Sequence, residues 1–365
     1  MKILLIAGAR PNFVKIAPLY KAFLQYPDMH PRIVHTGQHS DYQMSGIFFR
    51  QLDIPQPHYF LGIAQGSPTM QTAEIMSAFE RVVNAEMPDW VVVVGDVTST
   101  LACALVAAHM RIPLAHVEAG LRSRDRTMPE EMNRILTDAI SDQLFATEEA
   151  AVRNLLAENI DPHRIHLVGN VMIDSLVRFC GWIGDCSAGK HSRISGGRYL
   201  LITMHRPANV DQEEGLRKIA GMLEMLGSHW EIVFVMHPRT MRNAAAFGLD
   251  FSQIAGVTIL PPQGYVEFLG LMQHAVVVIT DSGGVQEETT FLGIPCITLR
   301  NSTERPVTVT CGTNHLLPDF DAQKVWDTIE KVLSRTSEDA KIPPLWDGNT
   351  AQRIVRILRE KCINP

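Results

Sequence analysis

Two doubly wound α/β halves, each built on a parallel sheet, are predicted by three observations. Short apolar runs rich in β-branched residues recur along the 365 residues. Each is followed by a polar or glycine turn and then by a segment of helical period, the order expected of parallel strands covered on both faces. The length suits roughly two domains of about 150 residues, each large enough for its own core.

In the first half the strands are KILLIAG (2–8), RIVHTG (32–37), VVVVGD (91–96), PLAHVE (113–118) and QLFAT (143–147). The opening run stops being apolar after Ala7 and turns through Gly8 to Arg10, which suits a buried first strand better than a secretion signal. In the second half YLLITMH (199–205), EIVFVMH (231–237), AVVVITD (275–281) and IPCITLR (294–300) repeat the architecture without repeating the residues. Between the halves, periodicity fails over FCGWIGDCSAGKHSRISGG (179–197), and a domain joint is expected near residue 170. The predicted domains are therefore 1–169 and 170–348. The tail NTAQRIVRILREK (349–361) spaces Ile354, Ile357 and Leu358 helically, with arginines elsewhere, and reads as an amphipathic helix packed on a domain.

The formal net charge of −6 argues against a protein built to coat nucleic acid or an anionic membrane, both of which need a basic face. It leaves room for a small anion in a local pocket. No apolar run is long enough to span a bilayer. The six cysteines lie apart without CxxC pairs, so a reducing cytoplasm and mostly buried thiols are expected.

Several motifs fail on inspection. GDCSAGKH (184–191) nearly spells a phosphate-binding loop, but His191 stands where Ser or Thr must hold magnesium and no strand precedes it. No GxGxxG follows the first strand, so a nicotinamide or flavin cofactor has no support. His35 and His39 are four apart on a strand-to-turn segment without a third ligand, so no metal site is assigned.

In open α/β sheets, ligands bind beyond the carboxyl ends of the strands. Arg10, Asp96, Glu118, His205, His237 and Asp281 all stand there. Six such residues across two halves suggest two strand edges facing one shared cleft. After the AVVVIT strand, Ser282, Gly283 and Gly284 can bring backbone N–H groups to a helix start, where the dipole favours phosphate. Glu287 and Glu288 follow, suited to a ribose, and Arg305 offers a counter-charge. In the first half, TMPEEMNRILTDAISD (127–142) places Glu130, Arg134 and Asp138 on one helix face, with Ile135, Leu136, Ala139 and Ile140 as the expected buried side. Asp138 reads as part of a solvated salt-bridge ladder, whereas Glu130 and Arg134 lie nearer the site. One half thus collects acids (Asp96, Glu118, Glu130), which move protons, and the other collects groups suited to a nucleoside diphosphate.

With these residues in hand, the chain resembles the non-hydrolysing UDP-N-acetylglucosamine 2-epimerases. The resemblance rests on GARP(x)FVK (8–15), TGQH (36–39), GD (95–96), HVEAGLRSRDRTMPEEMNR (116–134), HRPAN (205–209) and DSGGVQEE…ERP (281–306), in order to about residue 317. It implies a glycosyltransferase-B-like pair of Rossmann-type domains, a C-terminal helix returning to the first domain, and usually a homodimer. The implied reaction interconverts UDP-GlcNAc and UDP-ManNAc without NAD or metal, through elimination of UDP to 2-acetamidoglucal and its re-addition. By the same resemblance, Asp96, Glu118 and Glu130 match the essential acids, and Arg134 and His205 the supporting catalytic residues. Arg10 and Lys15 match amino-terminal substrate contacts, and Gln263 and Phe268 match uracil-side positions. Ser282, Gly283 and Gly284 match the phosphate loop, Glu288 the ribose ligand, and Arg305 a diphosphate-side arginine.

There are departures. HRPAN loses an arginine and a glutamate at Pro207 and Ala208, and Met70 stands where an arginine often precedes Gln71. Gln38, His39 and Gln71 remain of a region that in many bacterial relatives holds a second, activating UDP-GlcNAc. These differences leave room for another UDP-sugar, such as a 2,3-diacetamido uronic acid. A hydrolysing relative, a glycosyltransferase and a silent sugar-nucleotide sensor are the other readings. Retention of all three acids speaks against the last.

Overall fold

The computed structural model describes residues 1–37, 49, 51–63, 66–186, 198–334 and 341–363. The chain forms two compact units, Met1–Arg178 with Pro344–Pro365, and Phe179–Pro343. The division falls after Arg178, inside a helix.

The first unit runs β1 (Lys2–Ala7), α1 (Arg10–Phe23), β2 (His30–His35), β3 (Tyr59–Phe60), α2 (Pro68–Glu86), β4 (Trp90–Val94), α3 (Thr98–His109), β5 (Leu114–Ala119), α4 (Pro129–Ile140), β6 (Gln143–Ala146), α5 (Glu149–Ala157), β7 (Ile165–Leu167) and, as far as Arg178, α6 (Val171–Cys186). Its parallel sheet has the order β3-β2-β1-β4-β5-β6-β7. The chain winds outward from β1 to one edge, then returns beside β1 with β4, so the carboxyl ends of β1 and β4 flank a topological switch point. β4 reads WVVVV and is buried at every position, as a central strand covered on both faces must be.

The second unit repeats the plan with β8 (Tyr199–Thr203), α7 (Pro207–Val210), α8 (Glu213–Gly227), β9 (Glu231–Val235), α9 (Pro238–Ala246), β10 (Val257–Leu260), α10 (Tyr265–Gln273), β11 (Ala275–Thr280), α11 (Gly283–Leu292), β12 (Cys296–Thr298), α12 (Pro306–Thr310), β13 (Asn314–Leu316) and α13 (Ala322–Leu333). Its order, β10-β9-β8-β11-β12-β13, sets the switch point between β8 and β11. Leu200, Ile202, Phe234, Val277, Ile279 and Ile297 of the strands pack with Leu216, Ile219 and Leu223 of α8 in one core.

The last helix, α14 (Thr350–Ile363), belongs to the first unit. Asp174 of α6 accepts hydrogen bonds from the N–H groups of Thr350 (3.1 Å) and Ala351 (2.7 Å), satisfying two orphan donors at the start of α14. Trp346 is 2% exposed and donates to the Thr147 carbonyl. Ile354, Val355 and Leu358 form its buried stripe.

Among the described residues no helix is long and apolar enough to cross a membrane. Cys103 and Cys296 are buried, Cys180 and Cys311 half-buried and Cys362 exposed, so burial of the thiols is less general than expected.

Candidate active site

At the switch point of the first unit, Asn12 joins two strand ends. Its Oδ1 accepts from the N–H groups of Gly8 and Ala9, and its Nδ2 donates to the Val94 carbonyl at 3.1 Å. Behind it on α1, the Lys15 ammonium forms an ion pair with Glu118, both nearly fully buried. Gly95 turns between β4 and Asp96 with a φ of +67°; a Cβ there would lie 3.0 Å from Lys15 Nζ, so glycine leaves the room this pair occupies.

Glu118 is itself in the left-handed region, φ +74°. The register of β5 against β6 shifts between Val117 and Ala119, making Glu118 the extra residue of a bulge. A bulge of this kind re-aims a side chain at a strand end, and a non-glycine residue in such a conformation costs about 1–3 kcal/mol. Asp96 pairs with Arg134, and its carbonyl accepts from Asn133 Nδ2 at 2.8 Å. Arg134 is 2% exposed and is also held by Glu131 at 2.7 Å. Glu131 in turn accepts from the N–H and hydroxyl of Ser123 and from the N–H of Arg124, which fastens the loop after β5. Those neighbours and Arg134 outweigh burial, which alone would raise it, and hold the Glu131 carboxyl below its usual range. Glu130 sits half-exposed in the first turn of α4.

The buried face of α4 is the polar one, which corrects the expectation from sequence. Glu131, Arg134, Thr137 and Asp138 are buried, whereas Leu136 is 44% exposed and Ala139 is exposed. Asp138 is fully buried rather than part of a solvated ladder. Its oxygens receive the His116 ring (2.6 Å), the Gly120 N–H (3.0 Å) and Arg122 (2.7 Å). A charged helix face tolerates burial when each charge finds its partner, as Glu131, Arg134 and Asp138 do here.

In the second unit, Asp281 ends β11 fully buried and staples the end of β8. It accepts from the N–H groups of His205 (3.0 Å) and Arg206 (2.9 Å) and from Asn209 Nδ2 (3.0 Å). Its role is structural, and it presents His205. Burial, aided by the charges of Arg206, Arg300 and Arg239 and opposed by Asp281, pulls the His205 ring below its ordinary value. His237 lies 5.6 Å away ring to ring and caps α9, its Nδ1 accepting from the Arg239 N–H at 3.1 Å.

Ser282 N-caps α11, with its own N–H given to Thr280 Oγ1. A Cβ on Gly283 would lie 2.6 Å from Arg305 Nη1, so this glycine seats the guanidinium. Arg305 is buried between Glu287 (2.9 Å) and Glu304, and Glu304 also pairs with Arg300. Arg305 thus stands beside the start of α11 with two carboxylates of its own unit. Glu288 is buried; burial and the charge of Glu287 outweigh the Tyr265 hydrogen bond and push its carboxyl up to about 8. Gln263 folds its amide onto the Pro261 carbonyl (2.7 Å), and Phe268 lies half-buried on α10.

A family model described as UDP-N-acetylglucosamine 2-epimerase matches residues 21–359. The chain belongs to this family. A UDP-N-acetylglucosamine 2-epimerase of Methanocaldococcus jannaschii is 42% identical over 366 residues, covering 98% of this chain and 99% of the relative. A crystal structure of UDP-GlcNAc 2-epimerase from that organism, in complex with UDP-GlcNAc and UDP, superposes with a TM-score of 0.91 at 41% identity, covering 99% of this chain and 100% of that one. A UDP-2,3-diacetamido-2,3-dideoxy-D-glucuronate 2-epimerase of Pseudomonas aeruginosa is 42% identical over 320 residues, 87% of this chain and 88% of the relative. The epimerase resemblance is thereby borne out, and with it the glycosyltransferase-B-like α/β class.

Of the residues expected at an epimerase site, Asp96, Glu118, Lys15 and Arg134 come together at the ends of β4 and β5. His205 and the 282–288 segment occupy the corresponding edge of the second unit. Arg10 begins α1, but its side chain lies outside the described residues, as do Gln38, His39 and the 187–191 part of the near phosphate loop. Met70 is 57% exposed in the first turn of α2. His35 is buried, packed edge-on against Phe13 and Phe60, and its Nδ1 accepts from the Gly37 N–H. Sequence reasoning missed Asn12, His116, Arg122, Glu131 and Asn133. The available signal was the polar stripe Glu131, Arg134, Asp138 at helical spacing.

Proposed function

We propose that the protein is a non-hydrolysing UDP-GlcNAc 2-epimerase, interconverting UDP-GlcNAc and UDP-ManNAc. The observation that carries this reading is the pair of carboxylates, Asp96 and Glu118, gathered with Arg134 and Lys15 at one strand edge of a family member. The C2 proton of the sugar becomes acidic only as the C1–O bond stretches. A carboxylate takes that proton, the C1–O electron pair leaves with UDP, and a C1=C2 double bond gives 2-acetamidoglucal. Proton return to C2 on the opposite face, with UDP adding back at C1, completes inversion. Asp96, Glu118 and Glu130 divide the proton transfers, with Arg134 and His205 in support. Backbone N–H groups at Ser282–Gly284 and the α11 dipole stabilise the departing diphosphate, with Arg10, Lys15 and Arg305 supplying positive charge. Glu288 takes the ribose, and Gln263 and Phe268 the uracil. The reaction needs neither NAD nor metal, and the enzyme acts as a cytoplasmic homodimer.

The Pseudomonas relative, as similar in identity as the archaeal one, favours one second reading: epimerisation of a UDP-2,3-diacetamido uronate. Incubation with each UDP-sugar, followed by NMR of the anomeric region, separates them. UDP-ManNAc forming from UDP-GlcNAc without free ManNAc supports the first reading. Turnover of the uronate alone supports the second, and free ManNAc indicates hydrolysis.

A further inference from the structure

His116 is fully buried on β5, and its hydrogen-bond partners determine where its protons are. Nε2 lies 2.8 Å from the Gly95 carbonyl oxygen, which only accepts, so Nε2 carries a hydrogen. Nδ1 lies 2.6 Å from Asp138 Oδ1. The other oxygen of Asp138 already accepts from the Gly120 N–H and from Arg122, whose guanidinium is shared with Glu158 at 2.6 Å. A guanidinium and an amide N–H on one oxygen are the surroundings of an ionised carboxylate, and an ionised Asp138 needs a hydrogen on His116 Nδ1 as well. Burial raises the Asp138 carboxyl, but the charges of His116 and Arg122 prevail and hold it below its usual range. With Arg122 and His116 positive and Asp138 and Glu158 negative, the group is neutral as a whole.

The same contacts reach both carboxylates of the candidate site. Gly95 directly precedes Asp96, and its N–H donates to the Val117 carbonyl at 3.0 Å while its carbonyl takes the His116 proton. Gly120, two residues after Glu118, gives its N–H to Asp138 and receives Asn154 Nδ2 at 2.9 Å on its carbonyl. The left-handed Glu118 bulge is therefore bracketed by one buried pair, and on its far side Gly95 faces Lys15 and Glu118.

We infer that His116 is a doubly protonated imidazolium, paired with Asp138, and that it is a positioning residue which sets the Gly95–Asp96 turn and the Glu118 bulge. A charged donor holds the Gly95 carbonyl more firmly than a neutral ring. Displacement of a reacting group by about 1 Å costs on the order of 10²-fold in rate. The kinetic arm rests on the epimerase reading; the spectroscopic arm does not.

The test is 15N NMR of the full chain labelled at histidine, with the His116 signals assigned through H116Q and D138N. Both ring nitrogens of His116 are expected to report bound hydrogens in the wild-type protein. D138N, which removes the charge holding the second proton, should convert the pair to a neutral pattern. Both variants should lower kcat by roughly 10²-fold, with KM and UDP affinity within about threefold. A bare ring nitrogen in the wild-type protein overturns the imidazolium. Full kcat in the variants overturns the positioning role. Wild-type turnover of neither sugar would defeat the epimerase reading while leaving the protonation result standing. If H116Q does not fold, D138N and the wild-type spectra still decide it.

Discussion

Asp96 and Glu118 are each met by a cation from a different helix, Arg134 on α4 and Lys15 on α1. Paired in this way, they are held as oriented side chains rather than as a diffuse acidic surface. Asp96→Asn or Glu130→Gln should cut turnover by orders of magnitude while UDP affinity stays within about tenfold, measured by steady-state kinetics and calorimetry. Unchanged turnover would remove that residue from the mechanism. Glu288 makes a different prediction. Its carboxyl is raised from the usual 4.5 to about 8 in the folded chain, so the folded state holds a proton the unfolded state has released. Stability from this group is fully present at low pH and is lost as pH rises toward about 8. Denaturation midpoints should therefore show Glu288→Gln gaining on the wild type as pH rises through that window; parallel curves would contradict it. The strand-end residues were legible because the carboxyl edge of a parallel sheet is defined by the strand pattern itself. His116, Asp138 and Arg122 were not, because charged side chains read as solvated until their buried partners are known.

At the scale of elements, the long apolar runs gave their strands within a residue or two, since a strand covered on both faces is apolar throughout. The short strands β3, β7, β10 and β13 escaped because they are two to four residues long and largely half-buried. Helix α4 shows the limit of periodicity: the period was right and the face was inverted, because buried ion pairs outweighed the apolar side chains. Glycines give a sharper test of element packing. A Cβ on Gly120 would lie 2.5 Å from the Ala151 carbonyl oxygen, at a φ of +81°, whereas one on Gly221 in α8 meets nothing within 4 Å. Gly120→Ala should cost about 2 kcal/mol or more, and Gly221→Ala should stabilise by about 0.5–1 kcal/mol, read from urea midpoints. Equal effects would contradict these placements.

At the scale of the molecule, the chain leaves its first unit at Arg178 and returns to it at Pro344. Leu358, fully buried in α14, should therefore couple to residues far away in sequence. Leu358→Ala should raise amide hydrogen exchange across β1, α1 and α6 while leaving β8–β13 unchanged, by mass spectrometry. A change confined to the second unit would be inconsistent with that packing. The charge of −6 describes the chain as a whole, while Lys15 and Arg134 in the first unit and Arg305 in the second are each buried against carboxylates. The proposed elimination and re-addition assigns proton transfer to carboxylates of the first unit and diphosphate binding to the N–H groups at the start of α11 in the second. Incubation with UDP-GlcNAc in D2O, followed by NMR at C1 and C2, tests that claim most directly. The account predicts deuterium at C2 in both UDP-GlcNAc and UDP-ManNAc with UDP retained; epimerisation without deuterium at C2 would contradict it.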